Sequence, residues 1–179
     1  MINFISGGCK NGKSTFAEDL AYKISNNKKI YYIATMIPYD KEDFFRIKKH
    51  KENRQNKNFI TIEEPFFLSN ILKKEIDLNA TFLIDSITAL VLNHYLKKKN
   101  EDSLNKIKII LKKDLEYFSK NVRNTIYVSD YIYSDAIQYD NFTEKYKKLL
   151  SSIDKYIVKK ANNVYEASFG IVKQIKKSD

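Results

Sequence analysis

The chain has 179 residues, 43% of them apolar and 30% charged, which is typical of one globular domain with a substantial core. No apolar run approaches the about 20 residues of a membrane-spanning helix, and Met1–Ser6 resembles a strand rather than a secretory signal. A single cysteine excludes an intramolecular disulfide and suits a reducing compartment. We therefore expect one cytoplasmic domain over residues 1–179, without a membrane span.

The formal net charge of +10 has two explanations: a surface that binds nucleic acid, or a protein that handles anionic phosphates. The lysines are spread along the whole chain, and no dense block of Lys and Arg with interleaved aromatic residues is present. We therefore expect no nucleic-acid partner.

Short apolar runs recur along the chain, and most are followed by residues with the apolar spacing of a helix. The predicted strands are Ile2–Ser6, Ile30–Thr35, Phe59–Ile62, Thr81–Asp85, Thr125–Ser129, Val164–Ala167 and Ile171–Ile175. The predicted helices are Ser14–Asn26, Lys41–Arg54, Pro65–Lys74, Ile87–Lys99, Asp102–Asn121 and Asn141–Lys160. This alternation predicts an α/β fold of three layers with a mostly parallel central sheet.

The first strand leads into a loop with the pattern G-x-x-x-x-G-K-S, and a predicted helix follows it. Glycines let the backbone N–H groups face a phosphate, and the helix N-terminus adds its positive end. The pattern predicts a P-loop NTPase (RecA-like) fold, with Lys13 as a catalytic residue bridging the β- and γ-phosphates and Ser14 as a Mg²⁺ ligand. The alternative is a chance glycine-rich turn. The predicted nucleotide-binding residues of this loop are Gly7, Gly8, Cys9, Lys10, Asn11, Gly12, Lys13 and Ser14.

A P-loop enzyme also needs an acidic residue at the end of a nearby strand, which holds the metal through water. The run Phe82-Leu83-Ile84-Asp85 provides one. Such a run is common by chance, but together with the phosphate loop it predicts Asp85 as a second residue of the Mg²⁺ site.

The segment between the second and third predicted strands carries a more specific pattern. It reads Tyr32-Ile33-Ala34-Thr35, then Asp40 and Glu42, then Arg46-Ile47-Lys48-Lys49-His50-Lys51 with Arg54, and finally Thr61-x-Glu63-Glu64-Pro65. With the phosphate loop, this segment resembles the bifunctional adenosylcobinamide kinase / adenosylcobinamide-phosphate guanylyltransferase family of cobalamin biosynthesis.

The resemblance implies that His50 attacks the α-phosphate of GTP and carries GMP as a phosphoramidate. An imidazole nitrogen is a competent nucleophile near neutral pH, and neighbouring cations favour its neutral form. Residues alone leave a solvated histidine on a basic helix as the alternative. Thr35, Lys51, Arg54 and Glu63 are implied as nucleotide-binding residues, although Arg54 and Glu63 could also be exposed surface charges.

The implied activities are phosphorylation of adenosylcobinamide and GMP transfer to the product, with GTP, ATP and Mg²⁺ as cofactors, a corrinoid substrate and a homotrimer. Two alternatives remain open. One is a P-loop kinase of another small molecule without guanylyltransferase activity. The other is a basic, nucleotide-regulated nucleic-acid-binding protein, whose binding would weaken steeply with salt.

The chain departs from the family pattern in its C-terminal third. Where the family reads T-N-E-V-G-x-G-x-V-P, this chain has Ser129-Asp130-Tyr131-Ile132-Tyr133-Ser134-Asp135-Ala136-Ile137-Gln138. A second motif, F-R-D-x-x-G-x-x-N-Q, is also replaced between Tyr146 and Lys155. Because this region helps to form the substrate pocket and subunit contacts in the family, the departures bear on the acceptor and on whether both activities are present.

Overall fold

The computed structural model describes residues 1–39, 58–97, 103–133 and 137–178. The predicted helix Lys41–Arg54 therefore lies outside the described residues. The strands are β1 (Ile2–Gly7), β2 (Ile30–Ala34), β3 (Phe59–Glu63), β4 (Thr81–Asp85), β5 (Asn124–Asp130), β6 (Asn163–Ser168) and β7 (Ile171–Lys177). The helices are α1 (Lys13–Ser25), a 3-10 helix (Leu68–Lys73), α2 (Ile87–Lys97), α3 (Ser103–Asn121) and α4 (Asn141–Lys160).

The strands form one sheet in the order β3-β2-β4-β5-β1-β6-β7. All neighbouring pairs are parallel except β6 and β7, which form an antiparallel hairpin at one edge. The predicted α/β fold with a mostly parallel sheet is confirmed. The carboxyl ends of six strands meet at one edge of the sheet, which is where parallel α/β proteins place their ligands.

Both faces of the sheet are buried, because successive side chains of a strand point to opposite faces. Helix α1 covers one face, where Ile5, Leu83 and Ile126 pack with Ala17 and Ala21. The other face carries the larger core cluster, which includes residues of the 3-10 helix and of α2, α3 and α4. The alternation of Phe4 and Ile5 between the two clusters shows how one apolar strand contributes to both layers.

The predicted helix Pro65–Lys74 is wrong in type and extent, because only the 3-10 helix Leu68–Lys73 forms there. Glu64 Oε1 accepts hydrogen bonds from the N–H groups of Phe66 and Phe67, which favours a turn over a helix at this point. Asp114 of α3 then caps the short helix by accepting from the N–H groups of Leu68 and Ser69, at 2.8 and 3.1 Å.

The remaining helices agree with the sequence pattern within a few residues. Helix α4 begins after Asp140, whose side chain accepts a hydrogen bond from the N–H of Thr143 at 2.8 Å, a typical N-cap contact. Residues 98–102, between α2 and α3, are outside the described part of the chain. No helix in the described ranges combines the length and apolar character that crossing a bilayer requires.

Candidate active site

The phosphate loop lies where the sequence predicts it, between β1 and α1. Gly12 adopts a left-handed conformation at the N-cap of α1, with φ of 81°, which side chains other than glycine rarely adopt. Gly7 is required for a different reason: a Cβ at this position would overlap the carbonyl oxygen of Ala167 in the neighbouring β6. Both glycines thus have a structural cause in the path of the backbone.

Lys13 is the most constrained side chain of the loop. It is only 6% exposed, and its Nζ donates to the carbonyl oxygen of Gly8 at 2.6 Å. The same Nζ forms an ion pair with Asp130 Oδ1 at 2.8 Å. The lysine therefore folds back across the loop and is fixed at the carboxyl end of β5. Ser14 follows it, half-buried, in the first turn of α1, while Cys9 is exposed.

Asp85 lies at the carboxyl end of β4, on the same edge of the sheet as the loop. Its Oδ2 accepts a hydrogen bond from Tyr32 OH at 3.0 Å. Strand β5 separates β4 from β1, so Asp85 belongs to the second strand away from the loop, about 10 Å across the sheet. This separation leaves room for water or a metal between the carboxylate and the loop.

Thr35 has no exposed surface, and its hydroxyl is used within the protein. Oγ1 donates to the carbonyl oxygen of Ser86 at 2.7 Å and accepts from the N–H of Ser86 at 2.8 Å. Thr35 thus ties the end of β2 to the turn that follows Asp85. Its role toward a nucleotide stays a prediction, and the geometry favours positioning of Asp85 over direct contact.

Glu63 is exposed at the end of β3, opposite Ala34 in the parallel register. It shares the carboxyl edge of the sheet with Asp85, whose register partner is also Ala34. The predicted site residues His50, Lys51 and Arg54 lie in the segment 40–57, outside the described residues. Their roles stay predictions.

A network of buried polar side chains behind the loop was not predicted from the sequence. The N–H of Asp130 donates to Thr88 Oγ1 at 2.7 Å, and Ser129 Oγ donates to Asp154 Oδ2 at 2.9 Å. Tyr133 OH donates to the same Asp154 oxygen at 3.1 Å, and burial raises the pKa of Asp154 to about 7. The network connects the residue that pairs with Lys13 to helix α4.

A model of the family described as cobinamide kinase / cobinamide phosphate guanyltransferase matches residues 3–175 of the chain. The match includes the phosphate loop, Asp85 and most of the C-terminal hairpin. The chain belongs to this family. The resemblance stated from the sequence is therefore confirmed.

Two curated relatives are similar over 93 residues, or 52% of this chain. The bifunctional adenosylcobalamin biosynthesis protein CobU of Escherichia coli (strain K12) is 31% identical over 49% of its length. The bifunctional adenosylcobalamin biosynthesis protein CobP of Pseudomonas aeruginosa is 34% identical over 52% of its length. The aligned part of the chain thus spans about half the length of either relative.

Solved structures with a similar backbone show the fold alone. The flagellar accessory protein FlaH from Methanocaldococcus jannaschii is 15% identical, with a TM-score of 0.55 over 99% of this chain and 78% of that chain. A second structure, of an isolated ATPase domain, is 15% identical, with a TM-score of 0.51 over 92% of this chain and 68% of that chain. Both are RecA-like P-loop ATPases, so this part of the fold prediction is also confirmed.

The residues that depart from the family pattern after Ser129 come together in one place. A cleft of about 560 Å³ lies between the chain after β5 and helix α4. Lys147 is buried beside it and pairs with Glu144 at 3.3 Å, while Lys148 and Lys155 are exposed. The cleft is lined by Tyr133, Ile137, Gln138, Glu144, Lys147, Lys148, Ser151, Ser152 and Lys155. Three lysines against one glutamate give this cleft a positive charge.

The second histidine of the chain, His94, has a structural role. It is buried in α2, its Nε2 lies 2.7 Å from the carbonyl oxygen of Phe66, and its ring packs edge-on against Phe66 and Phe67. Asp130 could have been found from the sequence, because it follows an apolar strand just as Asp85 does. Asp154 could not, because its partners Ser129 and Tyr133 are brought to it by the packing of α4.

Proposed function

We propose that this chain phosphorylates adenosylcobinamide and then transfers GMP from GTP to the phosphate so formed, giving adenosylcobinamide-GDP. The observation that carries the proposal is a complete phosphate loop, with Lys13 folded across it, in a chain that matches the family over residues 3–175. ATP or GTP would serve the first step, and GTP the second.

In the first step, the hydroxyl oxygen of the acceptor attacks the γ-phosphorus of the nucleoside triphosphate. A new O–P bond forms, the bond between the γ-phosphorus and the β–γ bridging oxygen breaks, and the nucleoside diphosphate leaves as the hydroxyl proton passes to solvent. Lys13 would donate to the β- and γ-phosphate oxygens, where negative charge accumulates in the transition state. Because the lysine is already held by Gly8 and Asp130, little reorganisation is needed to present it.

Ser14 and Asp85 fit a Mg²⁺ site, since a hydroxyl and a carboxylate are oxygen ligands of the kind this ion prefers. Bound Mg²⁺ would neutralise part of the phosphate charge. Thr35 and Tyr32 would act through Asp85, because one fixes the turn after it and the other donates to its carboxylate.

In the second step, His50 attacks the α-phosphorus of GTP. A P–N bond forms, the bond to the α–β bridging oxygen breaks, and pyrophosphate leaves. A phosphate oxygen of the acceptor then displaces the imidazole and receives GMP. We assign Lys51 and Arg54 to the triphosphate, and Glu63 to the guanine, whose N1–H and N2–H a carboxylate can accept.

The test is incubation with α-labelled GTP and Mg²⁺, followed by denaturation. The wild-type protein should retain an acid-labile, base-stable label, and His50→Ala should retain none. Lys13→Ala should lose both transfers if the two reactions share the loop. If the wild-type protein binds GTP but never carries the label, GMP transfer through His50 is refuted, and label transfer from γ-labelled nucleotide alone would support the kinase alternative.

The lysine-lined cleft beside α4 is our candidate for the phosphate-bearing arm of the acceptor. It has a net positive lining, and it contains Tyr133, whose hydroxyl is bonded to Asp154 in the network behind the loop. Replacing Lys148 and Lys155 by alanine should raise the KM for the acceptor phosphate and leave GTP binding unchanged. Lys159→Ala, an exposed lysine of the same helix outside the cleft, is the matched control. An equal effect of both sets would refute the assignment.

We also propose that the protein is a homo-oligomer, and specifically a trimer, as the family resemblance implies. The chain mass is 21.1 kDa, so light scattering should give about three times this value for the trimer. A mass equal to one chain at micromolar concentration would refute this proposal without affecting the assignment of the nucleotide site.

A further inference from the structure

Asp130 occupies a fixed position beside the phosphate loop. It is the last residue of β5, in register with Gly7 of β1, and the N–H of the next residue, Tyr131, donates to the carbonyl oxygen of Gly7 at 2.9 Å. Its own N–H donates to Thr88 Oγ1 at 2.7 Å, which links it to helix α2. The backbone carrying this carboxylate is thus tied on both sides, so its position relative to the loop is well defined.

The Asp130 carboxylate contacts the one side chain that a P-loop uses on the β- and γ-phosphates. Oδ1 lies 2.8 Å from Lys13 Nζ, and Nζ also donates to the Gly8 carbonyl oxygen at 2.6 Å. An ammonium group has three N–H donors. Two of the three therefore point to protein oxygens, and a phosphate oxygen that binds Lys13 must share the ammonium with Asp130 or displace it.

We propose that Asp130 is a positioning residue that holds Lys13 across the phosphate loop and opposes the binding of metal-free nucleotide, so that tight binding depends on a divalent cation. This inference rests on the proposed nucleotide site. It adds to that site a second acid, on the strand next to the loop, with a role different from that of Asp85.

The reason is electrostatic. A phosphate oxygen sharing the Lys13 ammonium would lie about 4 to 5 Å from the Asp130 oxygen, given ordinary hydrogen-bond lengths around one nitrogen. Repulsion between two unit charges at about 4 Å corresponds to about a fivefold change in affinity in a water-like medium, and to more where water is excluded. A divalent cation on the phosphates would remove most of this repulsion, so Asp130 would select nucleotide that carries its metal.

The experiment measures the dissociation constant of GTP by calorimetry, with excess Mg²⁺ and with excess chelator. Asp130→Asn keeps the size of the side chain and removes its charge, so metal-free GTP should bind at least about fivefold more tightly. The ratio of the metal-free to the Mg²⁺ constant should fall accordingly. Asp130→Glu keeps the charge and should stay near the wild-type ratio.

Two controls separate this role from a purely structural one. Glu75→Gln makes the same change of net charge on an exposed residue that precedes the amino end of β4, and should leave the ratio unchanged. Inorganic tripolyphosphate, which has no base or ribose, should show the same gain with Asp130→Asn, because the effect concerns phosphates. Asp130→Ser is a second neutral variant for the case in which Asn disturbs folding.

The outcomes are distinct. Tighter metal-free binding in the neutral variants alone supports the inference. Unchanged or weaker metal-free binding in folded neutral variants, with GTP·Mg²⁺ still bound by the wild-type protein, overturns the inference and leaves the proposed function intact. If the wild-type protein binds GTP under neither condition, the proposed function and the inference both fail.

Discussion

Replacing Asp154 by asparagine is expected to change how protein stability depends on pH. The side chain is 1% exposed, Oδ2 accepts hydrogen bonds from Ser129 and Tyr133, and Oδ1 has no hydrogen-bond partner in the described part of the chain. Burial raises the pKa of this carboxyl from 3.8 to about 7, and the negative charge of Asp130 acts in the same direction. The ionised form is therefore disfavoured in the folded protein.

The sign follows from the two pKa values. Below about pH 4 the carboxyl is protonated in both the folded and unfolded states and contributes nothing to the pH dependence. Between about pH 4 and 7 the unfolded chain ionises first, so stability falls as pH rises, and above pH 7 the full cost is present. The rise from 3.8 to about 7 corresponds to about 4 kcal/mol, at about 1.4 kcal/mol per pH unit.

The assay is urea unfolding of the wild-type protein and Asp154→Asn at several values between pH 4 and 8.5. The free energy of unfolding of the variant, minus that of the wild-type protein, should increase with pH by up to about 4 kcal/mol. Taking the difference cancels the titration of the other groups. Glu75→Gln, an exposed acid, should show a nearly constant difference. A constant difference for Asp154→Asn as well would refute the reasoning, because it would mean that the carboxyl titrates normally.

Three further substitutions test the structure by chemical unfolding. Gly7→Ala should destabilise the protein by about 1–3 kcal/mol, because the added Cβ overlaps the Ala167 carbonyl oxygen, and wild-type stability would contradict the close approach of β1 and β6. Asn93→Ala should cost about 2 kcal/mol, because its amide donates to the carbonyl oxygens of Thr35 and Pro65 at 2.8 Å, and a change below about 0.5 kcal/mol would show that these acceptors find other partners. Asp114→Ala should cost about 1–2 kcal/mol by removing the cap of the 3-10 helix, whereas Asp114→Asn should cost less, and an equal cost would argue against the cap.

The sequence predicted the elements of the fold well where the signal is local. Strand β1 and helix α1 have apolar residues at the spacing of their own secondary structure, so their extents agree with the pattern to within one or two residues. The segment Pro65–Lys74 failed for the opposite reason. Its apolar spacing is helical, but the Glu64 side chain binds the backbone of the next residues, and Asp114 of α3 ends the irregular stretch.

The phosphate loop is the part of the site that the sequence determined by itself. All its groups lie within the eight residues Gly7–Ser14, so their geometry depends on local backbone conformation, such as the left-handed Gly12, and on the helix that follows. The order of the strands is different, because it depends on packing between residues far apart in the chain. Only the tertiary structure places β5 between β1 and β4, and for that reason the acid that contacts Lys13 is Asp130, while Asp85 lies one strand further away.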